Sequence, residues 1–159
     1  MRRGAGPASR RDPNCAGLLR RIAALCYDTL LIVAVLMIVT WLLLPLTHGM
    51  AITQESVGAL EYLYRALLLG LIVAYYGLSW TRSGETVGML AWKIRVVRKD
   101  GSPLKWADVL VRLAAAALSW LPAGLGYLWM LVDREHLTWH DRLSHTRVIR
   151  TGLPVPAVA

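Results

Sequence analysis

Charge is scarce in this sequence, and cysteine nearly so. Only 18% of its 159 residues are Asp, Glu, Lys or Arg, where a soluble domain carries about a quarter. Residues 29–50 contain none of the four. With 56% hydrophobic residues and a mean hydropathy of +0.46, the composition excludes an ordinary soluble domain and indicates a small integral membrane protein. Two cysteines, Cys15 and Cys26, are too few for a disulfide scaffold, so free thiols are expected. No small-residue cleavage site follows the first apolar run, which is also far longer than a signal-peptide core; it reads as a retained transmembrane helix.

Signatures of chemistry are missing as well. There is no Gly-x-Ser-x-Gly elbow and no phosphate-binding glycine loop. His136, His140 and His145 are spaced four and five apart without a cysteine, which argues against zinc. Neither an enzyme nor a cofactor is expected. The net charge of +8 would raise the question of nucleic acid in a soluble protein. Here the basic residues flank apolar spans, where they set topology and meet anionic headgroups, and no nucleic-acid-binding motif is present.

Residues 1–17 are basic, rich in Gly and Pro, and predicted to form a disordered arm. A first helix is predicted over 18–46 and a second over 57–80, with Glu61 and Arg65 in the favourable acid-before-base order at i,i+4. A third apolar stretch covers 113–132, interrupted by Pro122, Gly124 and Gly126. It is either one kinked span or a broken hairpin that returns the tail to its starting side. The resulting fold class is an all-α membrane protein with three hydrophobic segments. Residues 18–150 form the domain and 151–159 a flexible tail.

Six Lys or Arg precede or open the first helix and seven lie in 82–112, while 47–56 has none. By the positive-inside rule both basic segments are cytoplasmic and the 47–56 loop is outside. Thr146-Arg-Val-Ile is suited to pair with Ile94-Arg-Val-Val as a short β ladder, which favours the hairpin. Most of the seven tryptophans fall near predicted helix ends, as interfacial anchors do.

Against this background Asp28 stands out. A carboxylate at the centre of a membrane helix costs roughly 2.5–3.5 kcal/mol, so it implies a partner or a use. Arg21 shares its helix face, about 10 Å away along the axis, which predicts a charged seam near the cytoplasmic surface. In a functional reading Asp28 binds a proton or cation in a wet path. In a structural reading, preferred because buried charges are usually paired, it is the counter-ion of an arginine elsewhere such as Arg112. Asp108 and Arg112 have the spacing of a local helix pair. His140, Asp141 and Arg142 form a cluster read as an interfacial cap anchoring the tail.

These features together resemble the RDD family of small membrane proteins. The family's helix-opening arginine and intrahelical aspartate match Arg21 (or the adjoining Arg20) and Asp28. Gly84-Glu-Thr-Val-Gly resembles its Gly-x-Thr-x-Gly segment, and Leu-Thr138-Trp-His140-Asp141-Arg142-Leu-Ser its closing motif. The second name-giving aspartate is Asp133 or Asp141. The resemblance implies a multi-pass membrane protein of a family for which transport of unidentified ligands has been suggested. The expectation is therefore a protein of the bacterial inner membrane with a cytoplasmic N-terminus, transporting an ion or small solute through Asp28. Its partners are the lipid bilayer and a second copy or another membrane protein. The rival is a non-transporting scaffold that binds a membrane protein or anionic lipid.

Overall fold

The structure is a computed structural model describing residues 15–47, 59–120, 125–133 and 137–152. Helix α1 (Leu18–Leu43) and helix α2 (Ala59–Arg82) are its two long apolar helices. At 1.5 Å per residue they are about 39 and 36 Å long, enough for a hydrocarbon core of about 30 Å. In the most apolar stretch of each, only 11% of residues are buried. Leu30, Met37 and Trp41 project outward at 72%, 68% and 72% exposure. So much exposed hydrocarbon on both helices fits lipid and not water. Helix α1 passes into a 3-10 turn, Leu44–Thr47, that contains Pro45. The loop assigned to 47–56 lies, beyond Thr47, outside the described residues. Near this end Thr40 Oγ1 meets the Tyr64 hydroxyl at 2.7 Å and ties the two helices together. Glu61 pairs with Arg65 as the spacing predicts.

The third apolar stretch is not a single helix. It is divided between α4 (Trp106–Trp120) and α5 (Leu125–Val132), about 22 and 12 Å long, each too short to cross a bilayer. The strand before α4, β1 (Ile94–Arg98), pairs antiparallel with the final strand, β2 (Thr146–Arg150). That pairing requires the chain to return to the end from which α4 departed. The kinked single span is thereby overturned in favour of the broken hairpin. Residues 121–124, between α4 and α5, lie outside the described residues.

The chain ahead of α1 also differs from the expectation of a disordered arm to residue 17. Cys15 bridges to Ile149, Ala16 donates its N–H to the Val148 carbonyl at 3.0 Å, and Ala16 has no exposed surface. Residues 1–14 and 153–159 of the predicted arm and tail lie outside the described residues.

A short unit occurs twice. Thr86 caps α3 (Val87–Ala91), which ends on Trp92 and leads through Lys93 into β1. Thr138 caps α6 (Trp139–Leu143), which ends on Ser144 and leads through His145 into β2. The caps have φ,ψ of −87°,172° and −80°,167°, and Lys93 and His145 have positive φ of 53° and 51°. The flanking bonds correspond too: Lys99 N–H donates to the His145 carbonyl and Thr151 N–H to the Lys93 carbonyl. Val96 and Val148, equivalent in the two units, lie directly opposite each other. A pseudo-two-fold axis therefore passes between them. The hydrophobic core gathers here, from Ile94, Val96 and Val148 with Ala24, Trp80 and Val109.

Candidate functional site

The repeated units deliver two different carboxylate environments to the ends of α1, α2 and α4. In the first, the capping turn of α3 wraps Asp28. Thr86 Oγ1 donates to Oδ2 at 2.5 Å, while the Gly88 N–H and the Tyr75 hydroxyl donate to Oδ1 at 2.8 and 2.7 Å. Asp28 is 2% exposed. Position 88 has to be glycine because a Cβ there would press into the Ala24 carbonyl and lie 2.9 Å from Asp28 Cγ. Gly84, at φ +76°, turns α2 into this segment and accepts the Val96 N–H at 2.8 Å.

In the second unit the carboxylate belongs to the short helix itself. Thr138 and Asp141 form a reciprocal capping box, and Asp141 is wholly buried. Its two oxygens take separate guanidiniums: Arg21 Nη1 binds Oδ2, and Arg112 Nη1 binds Oδ1 at 2.6 Å. Arg21 Nε also donates to the Ala16 carbonyl at 3.0 Å, and Arg112 reaches Thr146 Oγ1. The Arg112 guanidinium lies 5.3 Å from the centre of the Trp80 ring, in cation–π range.

Electrostatics at Asp141 and His140 follow from this packing. Burial pushes the Asp141 carboxyl up, but the charges of Arg21 and Arg112 outweigh it and hold the group far below the carboxylate range. For His140, burial and then the Arg112 charge push the imidazole down to about 3. It is therefore neutral at physiological pH, and its 3.9 Å approach to Asp141 is not an ion pair. His140 Nε2 lies 3.0 Å from Thr138 Oγ1.

The charged seam predicted from Arg21 and Asp28 is not formed. Side chains on a helix lean toward its N-terminus, so Arg21 extends away from Asp28 and toward the sheet, where Asp141 receives it. Arg112 likewise goes to Asp141, not to Asp28 as the structural reading proposed. Asp108 does not pair with Arg112 along α4. It accepts the Lys105 N–H at 2.8 Å and lies 3.5 Å from Arg98. The adjacent arginines take different partners: Arg20 donates to the Trp92 carbonyl at 3.3 Å, while Arg21 enters the buried cluster.

Asp133 and Arg142 belong to a separate clasp. Asp133 accepts the Leu137 N–H at 3.0 Å and Arg142 Nη2 at 2.5 Å. The Arg142 side chain is 50% exposed, so the predicted cluster of residues 140–142 is divided, with Arg142 facing out. Sequence reasoning did not identify Tyr75, Trp80 or Thr146 as part of the site. Thr86 and Gly88 were visible within Gly84-Glu-Thr-Val-Gly, but their target was not.

Arg21, Asp28, Trp80, Arg112 and His140 line one cavity of about 240 Å³, large enough for several water molecules. Arg21 and Arg112, which hold Asp141, thus line the same cavity as Asp28. The RDD family pattern matches residues 15–145, most of the chain, including Arg21, Asp28, Arg112 and Asp141. The chain belongs to the RDD family. Comparison of this RDD chain with curated proteins and with solved structures gave no match.

Proposed function

We propose that this RDD protein transports an ion or small solute across the bacterial inner membrane, with Asp28 as its central binding group. One observation carries the reading. Asp28 is a buried carboxylate in a membrane-length helix, it lines the cavity, and neutral groups alone donate to it among the described residues. A carboxylate has about four acceptor positions, and three are filled. The fourth is available to a cation or to a donor on a solute. Intramembrane carboxylates in such positions mark ion and solute pathways.

The orientation follows from charge. Arg20, Arg21 and the basic segment carrying β1 lie at one end with the sheet. The positive-inside rule supports placing that end in the cytoplasm, together with the N-terminus. Two membrane-length helices are too few to enclose a pathway, so the reading includes a homo-oligomer or a membrane-protein partner. A flux screen on purified protein reconstituted in vesicles tests it. Specific uptake of a cation or small solute supports transport, and vesicles that remain tight to all of them refute it.

The scaffold reading has its own supporting observation. Asp141 is paired by both Arg21 and Arg112, as a buried charge with a structural role is. It calls for a defined membrane-protein partner in pull-down and no flux.

A further inference from the structure

Glu61 is a buried acid that takes no part in the site around Asp28. After Arg21 and before Arg82, the two long helices carry three charged side chains: Asp28, Glu61 and Arg65. Glu61 lies near the end of α2 away from the sheet and is 3% exposed. Leu60, Tyr62 and Leu63 around it are all exposed, so the carboxylate is on the protein-facing side of the helix. Its i,i+4 partner Arg65 has a side chain that is 65% exposed. An ordinary surface pair leaves both groups accessible. Here the base stays outside and the acid turns inward.

Burial along α2 continues from Glu61 through Tyr64, Leu68, Leu71 and Ile72 to Tyr75, a spacing of three and four that makes one stripe. On α1 the corresponding stripe is Asp28, Leu31, Ile32, Leu36 and Thr40. Oxygen atoms lie at the two ends of this seam and hydrocarbon in its middle. At the sheet end the Tyr75 hydroxyl donates to Asp28. About 18 Å along α1, Thr40 Oγ1 meets the Tyr64 hydroxyl, and Tyr64 is one helical turn from Glu61. Between the ends is a cavity of about 30 Å³ lined by Ile32, Val35, Leu36, Leu71 and Ile72 beside Tyr75. It has room for one or two water molecules and for no hydrated cation.

We propose that Glu61 is a second proton-binding carboxylate, which loads protons at the end away from the sheet for delivery to Asp28 along the α1–α2 seam. The inference rests on the transport reading and names the ion as a proton. A proton moves between adjacent oxygens and needs no wide bore, so two helices suffice for it. Glu61 takes up the proton as its pair with Arg65 opens, then releases it to the Tyr64 and Thr40 hydroxyls. Each hydroxyl accepts one proton and gives up another. Water that transiently fills the cavity carries the charge to the Tyr75 hydroxyl, which passes its own proton to Asp28. The hydrocarbon-lined cavity is the gate, closed while it is dry. Paired use of buried carboxylates in this way is how membrane proton relays are built.

Dissipation of an imposed pH gradient tests it, in vesicles of the purified full-length protein that hold sodium and potassium salts and an entrapped pH-sensitive dye. Wild type should dissipate the gradient faster than protein-free vesicles, and Glu61→Gln and Asp28→Asn should each lose that activity. Glu61→Asp should restore part of it. Arg65→Gln should keep it, whereas a merely local ion pair makes Glu61→Gln and Arg65→Gln equivalent. Leu36→Ser wets the gate, should raise the rate above wild type, and decides the matter if Glu61→Gln does not fold. Undiminished activity in folded Glu61→Gln, equal losses in Glu61→Gln and Arg65→Gln, or no gain in Leu36→Ser overturns the proposal. If Asp28→Asn alone loses activity, the transport reading stands without it. Wild-type vesicles that carry a solute but no proton overturn this proposal alone, and vesicles tight to both overturn the transport reading as well.

Discussion

Arg21 donates to Asp141, 120 residues further along the chain, and not to Asp28, which shares its own helix face. The buried guanidinium pair and its carboxylate thus join α1, α4 and α6 at the base of the membrane helices. Asp28 is left to a separate set of neutral donors. That division separates the Arg21–Arg112–Asp141 charge cluster from Asp28 and its neutral donors.

The two aspartate–arginine arrangements should respond differently to mutation. Asp141→Ala leaves two buried guanidiniums without their anion and is expected to destabilise the protein by roughly 3–5 kcal/mol. Asp133→Asn removes an interaction with the half-exposed Arg142 and should cost no more than about 1 kcal/mol. Thermal unfolding of the two variants in detergent checks the ranking, and equal losses would contradict it.

Gly88→Ala and Gly70→Ala form a second contrast. At position 88 the added methyl meets backbone and the Asp28 carboxyl group, neither of which has space to retreat. We expect a loss of at least about 2 kcal/mol, in the range for overpacking. Gly70 lies mid-helix with nothing within 4 Å of a built Cβ, so alanine there should be neutral or stabilising by up to about 1 kcal/mol. The midpoint of unfolding for each variant reports the sign.

Acid should weaken the fold in a defined window through His140. Its folded value is about 3, against 6.5 when exposed, so between these pH values the unfolded chain binds the proton that the folded chain refuses. Stability from this group is complete above pH 6.5 and falls as pH drops toward 3, by at most about 1.4 kcal/mol per pH unit. Asp141 acts in the same direction further down, because its depressed carboxyl contributes stability above the ordinary value of 3.8 and loses it in stronger acid. The melting temperature of wild type should therefore decline from pH 6.5 to 4.5 more steeply than that of His140→Gln. Parallel curves would contradict the assignment.

The return of the third apolar stretch predicts a cross-link. Val96 and Val148 are opposite one another in the antiparallel ladder. Cysteines at both positions, with Cys15 and Cys26 replaced by serine, should form an intramolecular disulfide on mild oxidation, seen as a mobility shift reversed by reductant. A single kinked span would hold them on opposite sides of the membrane and give none.

Much of this was legible in the sequence where the signal is local. The length and hydrocarbon content of α1 and α2 predict their extent to within a few residues. The β-branched runs at 94–97 and 146–149 predict their pairing. The partners of the charges were not legible, because helical periodicity says which residues share a face and nothing about which distant segment arrives there. Arg21 and Asp28 share a face, yet side-chain tilt and the arrival of α6 decide the pairing. The repeated Thr-capped unit escaped notice because its equivalence lies in cap, positive-φ residue and strand. At the level of residues it is reduced to Thr86 matching Thr138 and to Arg-Val-Val-Arg matching Arg-Val-Ile-Arg.

The most direct test of the account is the flux of Asp28→Asn beside wild type in reconstituted vesicles. Asparagine keeps an oxygen for the Gly88 and Tyr75 donors, and the Thr86 hydroxyl can turn to accept from its amide, so the variant should fold with a melting temperature near that of wild type. The account predicts measurable wild-type flux of an ion or small solute and its loss in folded Asp28→Asn vesicles. Wild-type flux that persists undiminished in the folded variant would contradict it.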